Sequence, residues 1–110
     1  MIFENDNIKI TPDIFSPDND GYNDLLNIQY QFDYPGYVAN ISIFDAFGRR
    51  VIYLVKNELL GTKGNFVWDG INEKNEKANI GIYIIFIEVF NIDGQLRQFK
   101  KTAVLAGKLK

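Results

Sequence analysis

Short runs in which every second residue is apolar constrain the fold of this chain more than any other feature. The segment LLNIQYQF is the clearest, and its apolar members include Leu26, Ile28, Tyr30 and Phe32. A period of two is the pattern of a strand that buries one face. The segment VANISIFDA predicts in the same way that Ile41 and Ile43 face inward. The nearly continuous apolar run GIYIIFIEVF predicts instead a strand that is covered on both faces.

Turn residues separate these runs at close intervals. Pro12 interrupts the first extended segment, and Gly48 supplies the positive φ that a three-residue hairpin loop or its bulge needs. The Asp93-Gly94 pair predicts a two-residue hairpin turn. About seven short strands without an amphipathic helix predict an all-β, antiparallel two-sheet sandwich. We expect residues 1–110 to form one such domain, excised from a longer chain.

Composition and charge exclude several kinds of function. The 12 basic and 14 acidic residues give a net charge of −2, which disfavours nucleic acid as a partner. Without cysteine or histidine the chain has no disulfides, no zinc site of the usual ligands and no imidazole acid–base chemistry. No apolar run reaches the roughly 20 residues that span a bilayer, and the first residues do not resemble a signal peptide. We predict that the chain is not an enzyme, and that Glu88 keeps its carboxylate in water near a strand end or edge.

Four short motifs mark the ends of the predicted strands. They are an Ile-Phe-Asp strand end, a Gly-Arg turn, a Trp-Asp-Gly corner and a Gly-x-Tyr strand start, at Ile43, Phe44, Asp45, Gly48, Arg49, Trp68, Asp69, Gly70, Gly81 and Tyr83. This combination resembles the Ig-like module of flagellar hook-capping proteins and of carboxy-terminal domains in exported Bacteroidetes proteins. The upstream segment ITPDIFSPDNDGYNDLLNI resembles that of gliding-motility-associated carboxy-terminal domains, which are sorting signals of the type IX secretion system. The combination is also similar to the terminal module of bacterial lamin-tail-containing surface proteins.

The resemblance implies an Ig-like sandwich that serves the secretion or sorting, anchoring or assembly of a larger exported or cell-surface protein. Its partners would be other domains of the parent chain and the secretion machinery. Gliding-type domains carry Arg-Trp-Gly where this chain has Ala46-Phe47-Gly48, and this departure favours the hook-capping module. The last strand, LRQFKKTAVLA, is expected to be an edge for partner pairing that Arg97, Lys100 and Lys101 guard against aggregation.

The motif residues also have physical roles that follow from their chemistry. Trp68 is the only indole, and we expect it to fill the core between the sheets with one partner for its N–H. Asp69 and Gly70 are predicted to form the turn by which the chain leaves the sheet. Gly81 permits a bend or a close approach where the next strand begins. Arg49 is expected to pair with a surface carboxylate.

The stretch SPDNDGYND carries an oxygen ligand at every second residue, in the register of a calcium-binding loop. The candidate ligands are Ser16, Asp18, Asp20, the backbone carbonyl of Tyr22, Asp24 and Asn27. The first position is a weak serine and the last lacks the bidentate glutamate of that pattern. The alternative is a surface turn in which Asp and Asn side chains bond nearby backbone N–H groups without an ion. A calcium-stabilised structural spacer is therefore one alternative function.

A carbohydrate-binding module is the other alternative, because small β-sandwiches use exposed aromatic rings to stack on glycans. The candidate rings are those of Tyr22, Tyr30, Tyr34, Tyr37 and Tyr53. An exposed, coplanar row of two or three rings would favour a surface glycan as the partner. Tyrosines that cover the margin of the core would favour a purely structural role.

Overall fold

The computed structural model describes residues 7–17 and 23–107, and these form two packed β-sheets. Their eight strands are β1 (Ile8–Thr11), β2 (Ile14–Phe15), β3 (Leu26–Gln31), β4 (Val38–Asp45), β5 (Arg50–Leu59), β6 (Lys63–Trp68), β7 (Gly81–Phe90) and β8 (Leu96–Leu105). One sheet has the order β1-β3-β6 and the other the order β2-β8-β7-β4-β5. All pairs are antiparallel except the short β2–β8 pair. The predicted all-β sandwich is confirmed, and Pro12 divides the first segment between the two sheets.

The core lies between the inner faces of the two sheets, where the alternating strands meet. The large side chains that β3 and β4 bury to 1% exposure or less are those of Leu26, Ile28, Ile41 and Ile43. Burial of each such side chain contributes about 1.5–3 kcal/mol relative to leaving it in water. The inward directions predicted from the period of two are therefore confirmed.

The prediction for β7 is half right. Its inward residues are Tyr83, Ile85, Ile87 and Val89, and none is more than 4% exposed. Its other face lies on the outside of the five-stranded sheet, where Ile82 is 55% exposed. The expectation that both faces are covered is wrong, because no described part of this chain covers the outer face of β7. An apolar run indicates which residue types a face carries, but it does not indicate what packs over that face.

The last strand is an edge over most of its length, as predicted. β8 pairs with β7 from Leu96 to Leu105, whereas β2 reaches only Val104 and Leu105 on its other side. Arg97, however, does not guard this edge from solvent. Its guanidinium lies 5.3 Å from the ring centre of Phe32 and donates to Oδ1 of Asn7 at 2.6 Å, so that expectation is wrong for Arg97.

Three connections in the described residues share one backbone design. Each begins with an Asp or Asn whose N–H donates to the carbonyl four residues later, and whose side-chain oxygen accepts from two backbone N–H groups of the turn. The three run over Asp45–Arg49, Asn72–Glu76 and Asn91–Gln95. The fourth residue has a positive φ in each, 80° at Gly48, 64° at Asn75 and 82° at Gly94.

This design confirms the hairpin predicted at Gly48 and corrects the one predicted at Asp93-Gly94. The second hairpin has a three-residue loop, because its backbone closes between Asn91 and Gln95 at 3.1 Å. The side chain of Asn91 caps the turn and extends it by one residue.

Candidate functional site

Trp68 ends β6 and closes the core at one end of the sandwich. The residue is 1% exposed, and its ring centre lies 5.5 Å from that of Phe15 and 5.2 Å from that of Tyr83. Its Nε1 donates to the carbonyl oxygen of Ile71 at 2.9 Å. Because Phe15 and Tyr83 belong to the five-stranded sheet, the indole joins the two sheets and satisfies its one donor.

The chain leaves this corner through Asp69 and Gly70. Oδ1 of Asp69 accepts from the N–H of Ile71 at 3.1 Å. Gly70 has a φ of 81°, and a Cβ there would lie 3.0 Å from Cγ of Pro17 and 3.2 Å from Cδ1 of Leu105. Glycine is thus required both by the backbone conformation and by the space at this turn.

Tyr83 fixes the chain on the other side of the indole. Its hydroxyl donates to the carbonyl oxygen of Asn79 at 2.5 Å, which is the type of bond made by the tyrosine corner of Ig-like sandwiches. Burial raises the pKa of Tyr83, and the nearby charge of Asp45 raises it further. A Cβ at Gly81 would meet open space, so the close approach considered for this glycine is not present.

Asp45 is the charged member of the three turn-capping residues. The backbone N–H of Arg49 is the main cause that holds the pKa of Asp45 below 3.8; partial desolvation opposes it, and the Arg49 side chain adds to it. Nε of Arg49 lies 2.9 Å from Oδ2 of Asp45, which confirms the predicted ion pair. The Arg49 side chain is 73% exposed, and a pair so open to water adds little stability.

The candidate calcium loop lies only partly within the described residues. Asp18, Asp20 and Tyr22 lie outside them. The N–H of Ser16 donates to the carbonyl oxygen of Asn23 at 2.8 Å, which joins the two ends of the acidic stretch. Oδ1 of Asn27, the atom that would bind a cation, accepts from Nδ2 of Asn65 at 3.3 Å. Asp24 is half-buried near the start of β3, and calcium binding stays a prediction.

Of the tyrosines considered for glycan stacking, Tyr30 and Tyr37 are partly buried against the core, and Tyr22 is outside the described residues. Tyr30 stacks on Phe66 with ring centres 5.7 Å apart, and Tyr37 packs on Phe32 at 4.8 Å. The hydroxyl of Tyr53 donates to Oδ1 of Asn40 at 3.0 Å. Tyr34 is 76% exposed. Among the described candidates Tyr34 alone is exposed, whereas Tyr30, Tyr37 and Tyr53 are half-buried, so they form no exposed row of rings.

The outer faces of the two sheets differ in chemistry. The three-stranded sheet carries an open groove of about 560 Å³ whose lining includes Tyr30 together with the amide and lysine side chains of Asn7, Lys9, Gln29, Gln31, Lys63 and Asn65. The five-stranded sheet carries a groove of about 350 Å³ lined by Phe44, Gly48, Ile84, Phe86 and Lys100. The second groove is apolar except for the lysine, and it lies on the outward side of β7.

Glu88 lies on this outward side as well. It is near the end of β7, as predicted, and β7 itself is an inner strand of its sheet. Its carboxylate accepts from Nε2 of Gln98 at 2.9 Å on the solvent side.

The described residues contain no helix with the length and apolar character needed to cross a membrane.

Two sheets that are antiparallel apart from the short β2–β8 pair, a buried indole between them and a tyrosine bonded across the turn that precedes its strand define an Ig-like β-sandwich module. The family described as the CHU_C type IX secretion signal domain matches residues 8–105. The chain belongs to this family, which implies export to the cell surface or the exterior and contact with the secretion machinery. The match outweighs the Ala46-Phe47-Gly48 departure, so the preference for the hook-capping module is corrected.

Two solved structures match this chain. One is PorZ, an essential bacterial surface component of the type IX secretion system of Porphyromonas gingivalis, with a TM-score of 0.52 and 17% identity. The similarity covers 92% of this chain and 12% of PorZ. The other is CopC from Methylosinus trichosporium OB3b, with a TM-score of 0.48 and 19% identity over 79% of each chain. No match was found among curated proteins.

Proposed function

We propose that the folded sandwich is itself the signal by which the type IX system exports the protein that carries it. The observation that supports this is the extent of the family match. The matched residues begin at Ile8, the first residue of β1, and end at Leu105, the last residue of β8. A signal read as a short peptide needs only one segment, whereas this match spans every strand of both sheets.

The sheet topology gives a reason why the secretion machinery would recognise the folded domain and not a short segment of it. β8 is the last strand, and it pairs with β7 over ten positions and with β2 over two. The five-stranded sheet is therefore complete only when the last strand has been added. A machine that binds the complete sheet selects domains whose last described strand has paired, and the domain supplies this surface without catalysis.

A reporter fusion in a host that secretes through the type IX system tests the proposal. Residues 1–110 are fused to the carboxy terminus of an exported reporter, and the reporter is measured in the cell and in the exterior fraction. We expect it at the surface or outside only when the segment is attached and the system is functional. Retention inside the cell with and without the segment would contradict the proposal.

A second comparison separates recognition of the fold from recognition of a segment. The Trp68→Ala variant leaves the rest of the sequence unchanged and removes the indole that joins the two sheets. We expect its export to fall with its folded fraction, measured on the purified domain by circular dichroism. Normal export of a fusion whose domain is unfolded would show that the signal is a linear segment.

A further inference from the structure

The outward residues of β7 are unusual for a sheet face that meets water. They are Ile82, Ile84, Phe86, Glu88 and Phe90, so four of the five are apolar. A solvated face of an antiparallel sheet normally carries polar residues at these positions. Ile82 is 55% exposed and Phe90 is 38% exposed, which leaves apolar area open on this face.

Neighbouring strands extend the apolar area and shape it into a groove. Phe44 of β4 lies beside Ile84, and Lys100 of β8 lies beside Phe86. Together with Gly48 these residues line the groove of about 350 Å³. We call the surface formed by Phe44, Ile82, Ile84 and Phe86 the apolar outer face.

Cationic side chains border the apolar outer face on two sides. Lys100 borders it on β8. On β5, Tyr53 is paired with Ser42 of β4, which is paired in turn with Phe86, and Arg50 and Lys56 lie 5.4 and 4.9 Å from the Tyr53 ring centre. Arg50 pairs with Glu73 at 3.3 Å. Within the part of the chain that the structure describes, Lys56 and Lys100 form no ion pair, so their charges are available to a partner.

We propose that the apolar outer face docks a protein segment of the type IX machinery that presents apolar side chains flanked by carboxylates. This inference rests on the proposed function and names its contact surface. Apolar side chains would fill the groove beside Phe86, and carboxylates would meet the lysines at its borders. Complementary charges of this kind guide association and reject wrong partners.

The same charges argue against a second copy of this chain as the occupant. In a two-fold dimer the same surface meets itself, and the outward residues of β7 supply one carboxylate, Glu88, against the two lysines Lys56 and Lys100, so positive charge is in excess on both copies. Like charges brought together at an interface cost free energy. A heterologous partner that carries carboxylates satisfies both the apolar and the charged parts of the surface.

Export of the reporter fusion tests the inference with matched substitutions on the two sheets. Ile82→Thr and Phe86→Thr remove apolar area but keep strand-forming residues, and Lys100→Glu reverses a charge at the groove. Val67→Thr and Lys63→Glu make the same changes on the outer face of the three-stranded sheet, where Val67 is 45% exposed. Thermal melts of the purified variants establish that each is folded.

We expect the three variants of the apolar outer face to reduce the exported fraction about tenfold or more, the effect of truncating a central interface residue. The two control variants should export like the unsubstituted chain. If the unsubstituted fusion is exported and the folded Lys100→Glu and Ile82→Thr variants export equally well, the inference is wrong and the proposed function stands. If the unsubstituted fusion is not exported, both are wrong.

A vesicle-binding measurement distinguishes a protein partner from a membrane. The purified chain is incubated with vesicles that contain anionic lipid, and co-sedimentation is measured for the unsubstituted chain and the Lys100→Glu variant. We expect no co-sedimentation of either. Binding that the substitution abolishes would overturn the protein partner in favour of a lipid surface.

Discussion

Replacing Trp68 by alanine should destabilise this domain more than any other single substitution at the indole corner. A buried aromatic side chain removes roughly 150–250 Å² from water, which at about 25 cal/mol per Å² corresponds to about 4–6 kcal/mol. Measured losses for such truncations are about 3–5 kcal/mol. The carbonyl of Ile71 also loses its 2.9 Å bond from Nε1, a further loss of about 0.5–1.5 kcal/mol. The total is a large fraction of the roughly 5–15 kcal/mol that holds a domain folded.

The Trp68→Phe variant separates the two contributions. Phenylalanine keeps a ring against Phe15 and Tyr83 but has no N–H, so we expect a loss of about 1–3 kcal/mol from the bond and a small cavity. Urea unfolding followed by circular dichroism measures all variants without relying on the single indole. Val67→Ala is the matched control, because Val67 precedes Trp68 on β6, faces outward and is 45% exposed. A loss below about 2 kcal/mol for Trp68→Ala, or an equal loss in the control, would refute this account of the core.

Three further measurements test other parts of the structure. Gly64→Ala would place a Cβ 2.5 Å from the hydroxyl oxygen of Tyr30 and 2.6–2.7 Å from two of its ring carbons, so we expect a loss of about 1–3 kcal/mol in urea unfolding. Gly61→Ala, where a Cβ meets open space, is the control, and equal stabilities would show that the Tyr30 side chain moves aside without cost. The lowered pKa of Asp45 means that its charge stabilises the fold above pH 3.8 and that this contribution is lost as the pH falls through the lower folded value. Asp45→Asn, which keeps the capping oxygen, should therefore flatten the acid part of the pH–stability curve, and an unchanged curve would contradict this assignment. If the acidic stretch binds calcium, millimolar calcium should raise the melting temperature and a chelator should reverse the rise; Asp20→Asn should abolish the shift, and no shift in the unsubstituted chain would exclude the ion.

The period-two runs predicted the strand directions well because a strand with one buried face leaves a direct record in its residue types. The buried Ile41 and Ile43 followed from that pattern alone. The length of the second hairpin loop did not, because the cap from Asn91 competes with the turn preference of Asp93-Gly94. The position of Arg97 against Phe32 could not be predicted either, since the two residues are 65 positions apart in the chain and meet only through the packing of the two sheets.

The sequence also predicted only part of the candidate site. The short motifs around Trp68 and Tyr83 predicted the family because they are local in sequence. The apolar outer face depends on which strands lie side by side, and the chain does not state that order. The run in β7 indicated two apolar faces, but only the sheet order placed Phe44 on one side of Ile84 and Lys100 on the other side of Phe86.

The three turns that share one backbone design differ in the residue that caps them, which is an aspartate in one turn and an asparagine in the other two. Asp45 lies beside Tyr83 at the indole end of the sheet, whereas the turn capped by Asn91 lies at the opposite end, where Val38 is paired with Phe90. Asparagine cannot gain a proton in acid, and aspartate can. Acidification therefore weakens the cap of the Asp45 turn, whereas the side-chain cap that Asn91 gives to its own turn does not change.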